Sequence, residues 1–526
     1  MYSYKVREKI VFNPLYKRFN PSLPMFEFSK QQTNQLKARG ILISDARAMI
    51  ANINQRSAYC QIHRPATLGD GITEFSDRDL KHYVKIYDDS IVNRRVIRFI
   101  PASGMATRMF DFLFPLVVED KQDFKTALDA HQDNPKVKRF IDGVQHFPFY
   151  EMAKEHIENE HSHPIDETDF LQAFIAYVVK HYANKPKAFV PFHKYNKILK
   201  TAIEEQLNFA IQFSLANDRL AHHFTVTPGC ENDFDQHIQK TRLELEHAHA
   251  CKVDVDYSVQ EASTDSLVMD SAGQLLTDDQ GQLVFRAAGH GSLIQNLNRI
   301  EADIVFINNI DNVAPQAQHE ESGMYKRALA GFLLDMQQQI FRLLRTIDED
   351  GVLDEAIHFL DQQFHFHIHE EDQELRKQRV IGLLDRPLRV CGMVPNSGEP
   401  GGGPFWVKDQ MGVHLQIVEK AQVDLSDSSQ AAHFQEGTHF NPVELVCSLM
   451  NHKGEKYDLN KYVDPSTYFV VSKTMNGKPV KAMEHPGLWN GAMAFWNTLF
   501  VSIPPSMFTP VKEVNDLLRK THQNQN

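Results

Sequence analysis

Three short stretches carry residue types whose spacing can do chemistry. Gly289-His290-Gly291 breaks the chain just before an apolar pattern, Leu293, Leu297 and Ile300, spaced as one face of a helix. Backbone N–H groups at such a helix start suit an anion or a base edge. Asp311 lies in Asn308 to Asn312, the polar end of the apolar run Ile304 to Ile307. A continuous apolar run of that kind fits a parallel strand covered on both faces, and open α/β sheets place ligands at the carboxyl ends of such strands. A carboxylate there suits Mg²⁺, which takes one or two carboxylates plus substrate phosphates. A strand-end carboxylate facing a cleft is expected to have little packing role. The third stretch, residues 101 to 109, follows the apolar strand Val96 to Ile100. Its small residues Ala102, Ser103, Gly104 and Ala106 let backbone approach a polyphosphate, and Arg108 can bind it bidentately. It is neither a Walker A loop nor a Gly-x-Gly-x-x-Gly fingerprint. The bland alternative in each case is a turn with no chemical part.

Other candidates stand apart from these. Pro395 to Pro404 holds four glycines and three prolines in ten residues, so it is no regular element. It contains the acid Glu399 and the amide Asn396, and a loop this specialised is either a flexible lid or a surface that backbone must approach closely. Lys512 is a phosphate ligand or a surface lysine. His365, His367 and His369 share a face if extended and can hold a metal, but a polar strand face or loop is the simpler reading; the same holds for His161 and His163. Asp254-x-Asp256 has the letters of a glycosyltransferase metal motif. It sits in the alternating strand Val253 to Val259, whose solvent face explains it more simply.

The elements that must position these residues alternate. Strands are expected at Val96 to Ile100, Phe224 to Thr227, Val253 to Val259, Ile304 to Ile307 and Arg389 to Val394, with a strand-like segment at Pro186 to Pro191 and a helix from Thr201. Asp278 to Gly281 reads as a hairpin turn. Strands feeding loops at 101, 187 and 308 with helices between them predict one α/β domain with a mixed, mainly parallel sheet. It spans residues 91 to 520 and carries helical insertions at 110 to 183 and 318 to 388. Residues 1 to 90 are expected to form a helical N-terminal extension, and 521 to 526 a disordered tail. With 526 residues, 42% apolar and 24% charged, a large core is available. A net charge of -12 argues against nucleic acid or a membrane surface as partner. Five scattered cysteines, no apolar signal core and no apolar run near the ~18 residues of a membrane span point to a cytoplasmic protein.

The order of these pieces resembles the UDP-sugar pyrophosphorylases, of the UTP–glucose-1-phosphate uridylyltransferase type, and a bacterial group of proteins of this length. The family's glycine-rich loop ending in Thr-Arg is matched by Ser103 to Met109, and its Pro-Lys by Pro186-Lys187. Its Gly-His-Gly uridine loop is matched by residues 289 to 291, and its Asp-Asn at a strand end by Asp311-Asn312. Its Leu-Glu-Ile-Ala-Gln-Val strand is similar to Val418 to Val423, Phe440-Asn441 echoes its asparagine segment, and its Pro-Val-Lys ending matches Pro510 to Leu518.

The resemblance implies a Rossmann-like fold of the GT-A nucleotide-diphospho-sugar transferase type. It also implies a reaction in which a nucleoside triphosphate, UTP by this likeness, and a sugar 1-phosphate give a nucleotide sugar and pyrophosphate. Arg108, Lys187 and Lys512 would be catalytic. Ser103, Gly104, Met105, Ala106, Thr107, Gly289, His290 and Gly291 would bind the nucleotide. Asn312, Glu399, Glu419 and Asn441 would face the sugar, and Asp311 would hold Mg²⁺. The rival expectation is a nucleotide or nucleotide-sugar binding protein that keeps this fold without catalysis.

Overall fold

The computed structural model describes residues 26–55, 59–160, 165–396, 398, 401–409, 412–475 and 477–523. Among them the largest sheet has nine strands: β1 (Thr67–Leu68), β2 (Gly71–Thr73), β3 (Val96–Pro101), β4 (Arg219–Val226), β5 (Lys252–Val259), β6 (Ile304–Ile307), β7 (Leu388–Pro395), β8 (His439–Ser448) and β9 (Asn497–Ser502). Their spatial order is β1-β2-β9-β7-β8-β6-β3-β4-β5. Every pairing is parallel except the two made by β8. The sheet is therefore mixed and mainly parallel.

The apolar runs explain which strands lie at its centre. In β6 all four residues are buried, and Ile304 to Ile307 align with Val96 to Phe99 of β3. Side chains of a strand alternate between faces, so a run without polar interruption needs cover on both. One face is covered by the helices Asp77–Ser90, His319–Arg345, Val352–Phe364 and Gln373–Leu384, over Phe306, Val390 and Val446. Asp77–Ser90 starts at a capping box, Ser76 with Asp79. The other face is covered by residues 293 to 300, by Trp496, and by a three-stranded sheet of Ile62–Pro65, Gly403–Asp409 and Gly412–Val418 that carries Trp406.

The helical region after residue 110 forms its own aromatic core, with Phe124, Phe140, Phe149 and Phe174 fully buried among Lys121–His131, Pro135–Asp142, Tyr150–Glu160 and Glu167–Val178. The helices Lys30–Ala38 and Ile43–Asn54 pack on a four-stranded sheet that includes Ser266–Asp270 and Lys478–Glu484.

Three local expectations differ from what is observed. The N-terminal region is not helical throughout, because residues 62 to 73 are strands that join two sheets. The helix after Gly291 is one turn, Ile294–Leu297. The C-terminal end is ordered through Gln523, with His522 only 3% exposed, because that imidazole is buried against His193. Residues 524 to 526 and 1 to 25 lie outside the described residues.

Candidate active site

Because β3, β4 and β6 are parallel neighbours, the loops after Pro101, Val226 and Ile307 emerge side by side. β8 runs the opposite way, so its start, with Asn441, reaches the same edge. Two assemblies of side chains form there.

The first joins the loop at 102 to 109 to residues 183 to 187, although a helical unit separates them in sequence. Lys187 N–H donates to the Gly104 carbonyl at 2.9 Å, and Ala106 N–H to that of Lys185 at 2.9 Å. Thr107 Oγ1 donates to the Ala183 carbonyl at 3.0 Å. Ala102 and Ala106 are buried anchors, while Ser103, Gly104 and Met105 are exposed. The N–H groups of those three exposed residues have no partner among the described residues. Unpaired N–H groups at an exposed loop are free to donate to an anion.

Lys187 then reaches across to β6. Its Nζ donates to Asp311 Oδ2 at 3.0 Å and to the Val511 carbonyl at 3.1 Å. Lys512 Nζ approaches the same carboxylate at 3.3 and 3.4 Å. Burial pushes the Asp311 pKa up, but the Lys512 and Lys187 ammonium groups pull it further down, to a net value below the usual carboxylate range. Asp311 is thus ionised, and at 8% exposure it pairs with two lysines, leaving one positive charge in excess. The expectation that this carboxylate has little packing role is corrected here. Arg108 is exposed and makes no hydrogen bond or ion pair among the described residues.

Asn312 is placed differently. Its Oδ1 accepts from Thr509 N–H at 2.9 Å and its Nδ2 donates to the Met507 carbonyl at 3.3 Å, so its amide holds the C-terminal segment.

The second assembly surrounds Gly289-His290-Gly291. Gly289 has φ +77, which favours glycine, and a Cβ on Gly291 would lie 2.0 Å from the Pro486 carbonyl oxygen. The close approach that glycine allows is therefore to the chain's own loop, residues 485 to 491. His290 Nδ1 accepts from Leu488 N–H at 3.0 Å, and its ring stacks on Trp489 at 4.3 Å. Burial holds the imidazole pKa below its usual value, with Glu419 and Glu484 partly offsetting this. A neutral ring accepting at Nδ1 carries its proton on Nε2.

From this ring a polar chain runs towards β8. Asn490 Nδ2 donates to Gln422 Oε1 at 3.2 Å, and the same oxygen accepts from Glu419 N–H at 2.8 Å. A Cβ on Gly402 would touch the Glu419 side chain at 3.2 Å, and the Gly402 carbonyl accepts from Asn441 N–H at 2.8 Å. Asn441 Oδ1 accepts from Val443 N–H at 3.0 Å. Val443 has φ +61, a strained conformation for a β-branched residue that costs about 1–3 kcal/mol. Two buried amide atoms, Asn441 Nδ2 and Asn490 Oδ1, have no partner among the described residues.

Sequence reasoning missed the loop at 485 to 491. Its signal was available as two glycines, a proline and one of only three tryptophans within His485 to Gly491.

Glu399 lies outside the described residues, as do His161 and His163. Further along the same loop, Gly401, Gly402 and Gly403 pack closely on Phe440, Ile417 and Phe405. His365 caps a helix at φ +57 and His367 pairs with Asp361 at 2.8 Å. Among the described residues no three His, Cys, Asp or Glu are grouped as metal ligands. Asp254 pairs with Arg219 on the outer strand of the sheet. No helix among the described residues is long and apolar enough to cross a membrane.

Fold and site define an α/β protein with a cationic, loop-built centre at the carboxyl edge of its sheet. Residues 29–523 match the family described as Domain of unknown function (DUF4301), and the chain belongs to it. No curated protein matches the sequence. Among solved structures, the chain is similar to the uridine diphosphate N-acetylglucosamine pyrophosphorylase from Trypanosoma brucei, with 11% identity and TM-score 0.46 over 87% of this chain and 72% of that one. It is also similar to a UDP-glucose pyrophosphorylase mutant from Leishmania major in complex with UDP-glucose, with 12% identity and TM-score 0.42 over 94% and 79%. A putative UDP-N-acetylglucosamine pyrophosphorylase from Entamoeba histolytica shows 10% identity and TM-score 0.42 over 82% and 80%.

Proposed function

We propose that the chain is a nucleotidyltransferase that forms a nucleotide sugar, with UTP as its nucleotide. The observation that carries this reading is the meeting of Lys187 and Lys512 on Asp311, beside a loop whose Ser103, Gly104 and Met105 N–H groups are unpaired.

In this reaction a phosphate oxygen of the sugar 1-phosphate attacks the α-phosphorus. A new P–O bond forms, the bond to the β-phosphate oxygen breaks, and pyrophosphate leaves with the electron pair. Such a displacement depends on positioning and charge neutralisation rather than on a covalent nucleophile. Ser103 to Thr107 cradle the triphosphate, with Arg108 and Lys512 on its charges. Lys187 neutralises the charge that builds at the α-phosphate. His290 presents Nε2–H to the base, beside Trp489. Asn441 and Glu419 offer hydrogen bonds to sugar hydroxyls, and the unpaired Asn441 Nδ2 and Asn490 Oδ1 give one donor and one acceptor for them.

Mg²⁺ fits the donor set. Among the described residues, the polar contact of Asp311 Oδ1 is the 3.4 Å approach of Lys512, a side chain 52% exposed and able to turn to phosphate. One carboxylate with substrate phosphates is a usual Mg²⁺ set, and the ion would supply charge neutralisation between the phosphates.

The test is a coupled pyrophosphate-release screen of nucleoside triphosphates against sugar 1-phosphates. Release that needs both substrates is expected, and none with any pair refutes catalysis. A second reading, a nucleotide-sugar binding protein, is favoured by the pairing of both lysines with Asp311. It predicts calorimetric binding of UDP-sugars without release.

A further inference from the structure

The C-terminal segment from Met507 to Gln523 lies along the Asp311 loop as a strap. It is tied by Asn312 at Met507 and Thr509, by Lys187 at the Val511 carbonyl, and by Val511 N–H to the Asp311 carbonyl at 2.9 Å. Asp516 folds it back by accepting from Lys512 N–H and Glu513 N–H, both at 2.8 Å, and by pairing with Arg519. Its far end is plugged by His522. That ring stacks on His193 at 5.2 Å, and the two imidazoles share a 2.9 Å bond between His522 Nδ1 and His193 Nε2. His193 Nδ1 bonds Glu205 Oε1 at 2.7 Å. His193, Glu205 and His522 are at most 3% exposed.

His193 lies on the strand Pro191–Tyr195, six positions after Lys187. The chain thus closes a ring: Lys187, His193, His522, Lys512, Asp311 and back to Lys187. We infer that His522 is a positioning residue, a latch that holds the strap and its Lys512 against Asp311 and opens on protonation.

The polarity of the latch follows from Glu205. A carboxylate only accepts, so His193 Nδ1–H donates to it, His193 Nε2 accepts, and His522 Nδ1–H donates. His522 Nε2 is buried and has no hydrogen-bond partner among the described residues. A proton on this ring is favoured by the Thr509 carbonyl, but by less than burial, His193 and Arg519 oppose it. The groups facing the pair are Glu205, Tyr195 and His319 from the core and Arg519 from the strap. Burial, then His193 and Arg519, hold His522 down to about 3. An imidazole in a released strap titrates near ~6.5. The latched form therefore binds the proton less readily than the open one. Its stability is complete above ~6.5 and falls about tenfold per pH unit below that, towards about 3.

The test compares wild type with His522→Ala and His522→Gln by hydrogen exchange of peptides covering 507 to 518. Protection is normalised to the unstructured rate at each pH. At pH 7.5 (roughly a unit above the free imidazole) His522→Ala is expected to lose at least about tenfold of the protection. His522→Gln keeps an N–H donor for His193 without titrating, and should retain protection while flattening the wild-type decline below pH ~6.5. Unchanged protection in His522→Ala, or a wild-type slope in His522→Gln, overturns the latch.

The consequence for Lys512 rests on the function proposed above. His522→Ala should raise the KM for nucleoside triphosphate, with His522→Gln near wild type. Normal KM in His522→Ala, where Lys512→Ala is impaired, refutes the positioning role. If wild type shows no pyrophosphate release, the function falls and the exchange experiment alone decides the latch.

Discussion

Replacing Asp311 by Asn keeps the size of the side chain and one acceptor, and removes only its charge. The structure sets the cost. Lys187 and Asp311 side chains are 14% and 11% exposed at 3.0 Å, whereas Lys512 is 52% exposed. Removing one partner of a fully buried pair costs about 3–5 kcal/mol, and an exposed pair is worth about 0–1 kcal/mol. The Lys187 side lies near the first limit and the Lys512 side near the second. A loss of about 2–4 kcal/mol in unfolding free energy is expected for Asp311→Asn, read from urea unfolding by near-UV circular dichroism. The double variant Asp311→Asn with Lys187→Met removes the stranded ammonium and should recover at least half of the loss. The sign with pH is also set. The Asp311 pKa is lowered in the folded state, so its contribution is complete above ~3.9 and is lost as pH falls through the lower folded value. That part of the acid-unfolding curve should be missing from the variant. A stability within about 0.5 kcal/mol of wild type, the range of ordinary surface changes, would refute the reasoning. It would mean that the lysines are not held by this carboxylate.

Arg108→Ala should leave stability within about 0.5 kcal/mol of wild type, because the side chain is exposed and unpaired, while raising the KM for nucleoside triphosphate in the release assay. Gly291→Ala forces a Cβ onto the Pro486 carbonyl and should cost about 1–3 kcal/mol, with a change in Trp489 fluorescence as the stacked His290 shifts. Lys326 and Glu444 form an ion pair at 3% exposure each beneath Asn308, so Lys326→Met should cost about 3–5 kcal/mol by urea unfolding. Adding Glu444→Leu to it should recover most of that loss.

Some of this was legible in the residues themselves. β6 is a run of apolar side chains and β3 is one interrupted by the buried Arg98, and a run without alternation has to be covered on both faces; that fits both to the inside of a parallel sheet and puts Ser103 and Asp311 at its carboxyl edge. The turn at Asp278 to Gly281 was legible for the same local reason, with Gly281 at φ +74. What the tertiary structure decided are contacts between residues far apart in the chain. Lys187 and Lys512 reach one carboxylate from 124 and 201 positions away. Local propensity carries no term for such a meeting. The helical unit between Gly104 and Lys187 adds length without adding distance, because its ends are joined by backbone bonds. Asn312 ties the C-terminal segment through its side-chain amide, and Gly291 makes room for Pro486, because the nearest partner in space took up a group that an isolated loop would leave free. The imidazole of His522, six residues from the strap's Asp516, reads as part of a polar tail until His193 and Glu205 bury it. Periodicity reports which face of an element is covered; only the fold settles what covers it.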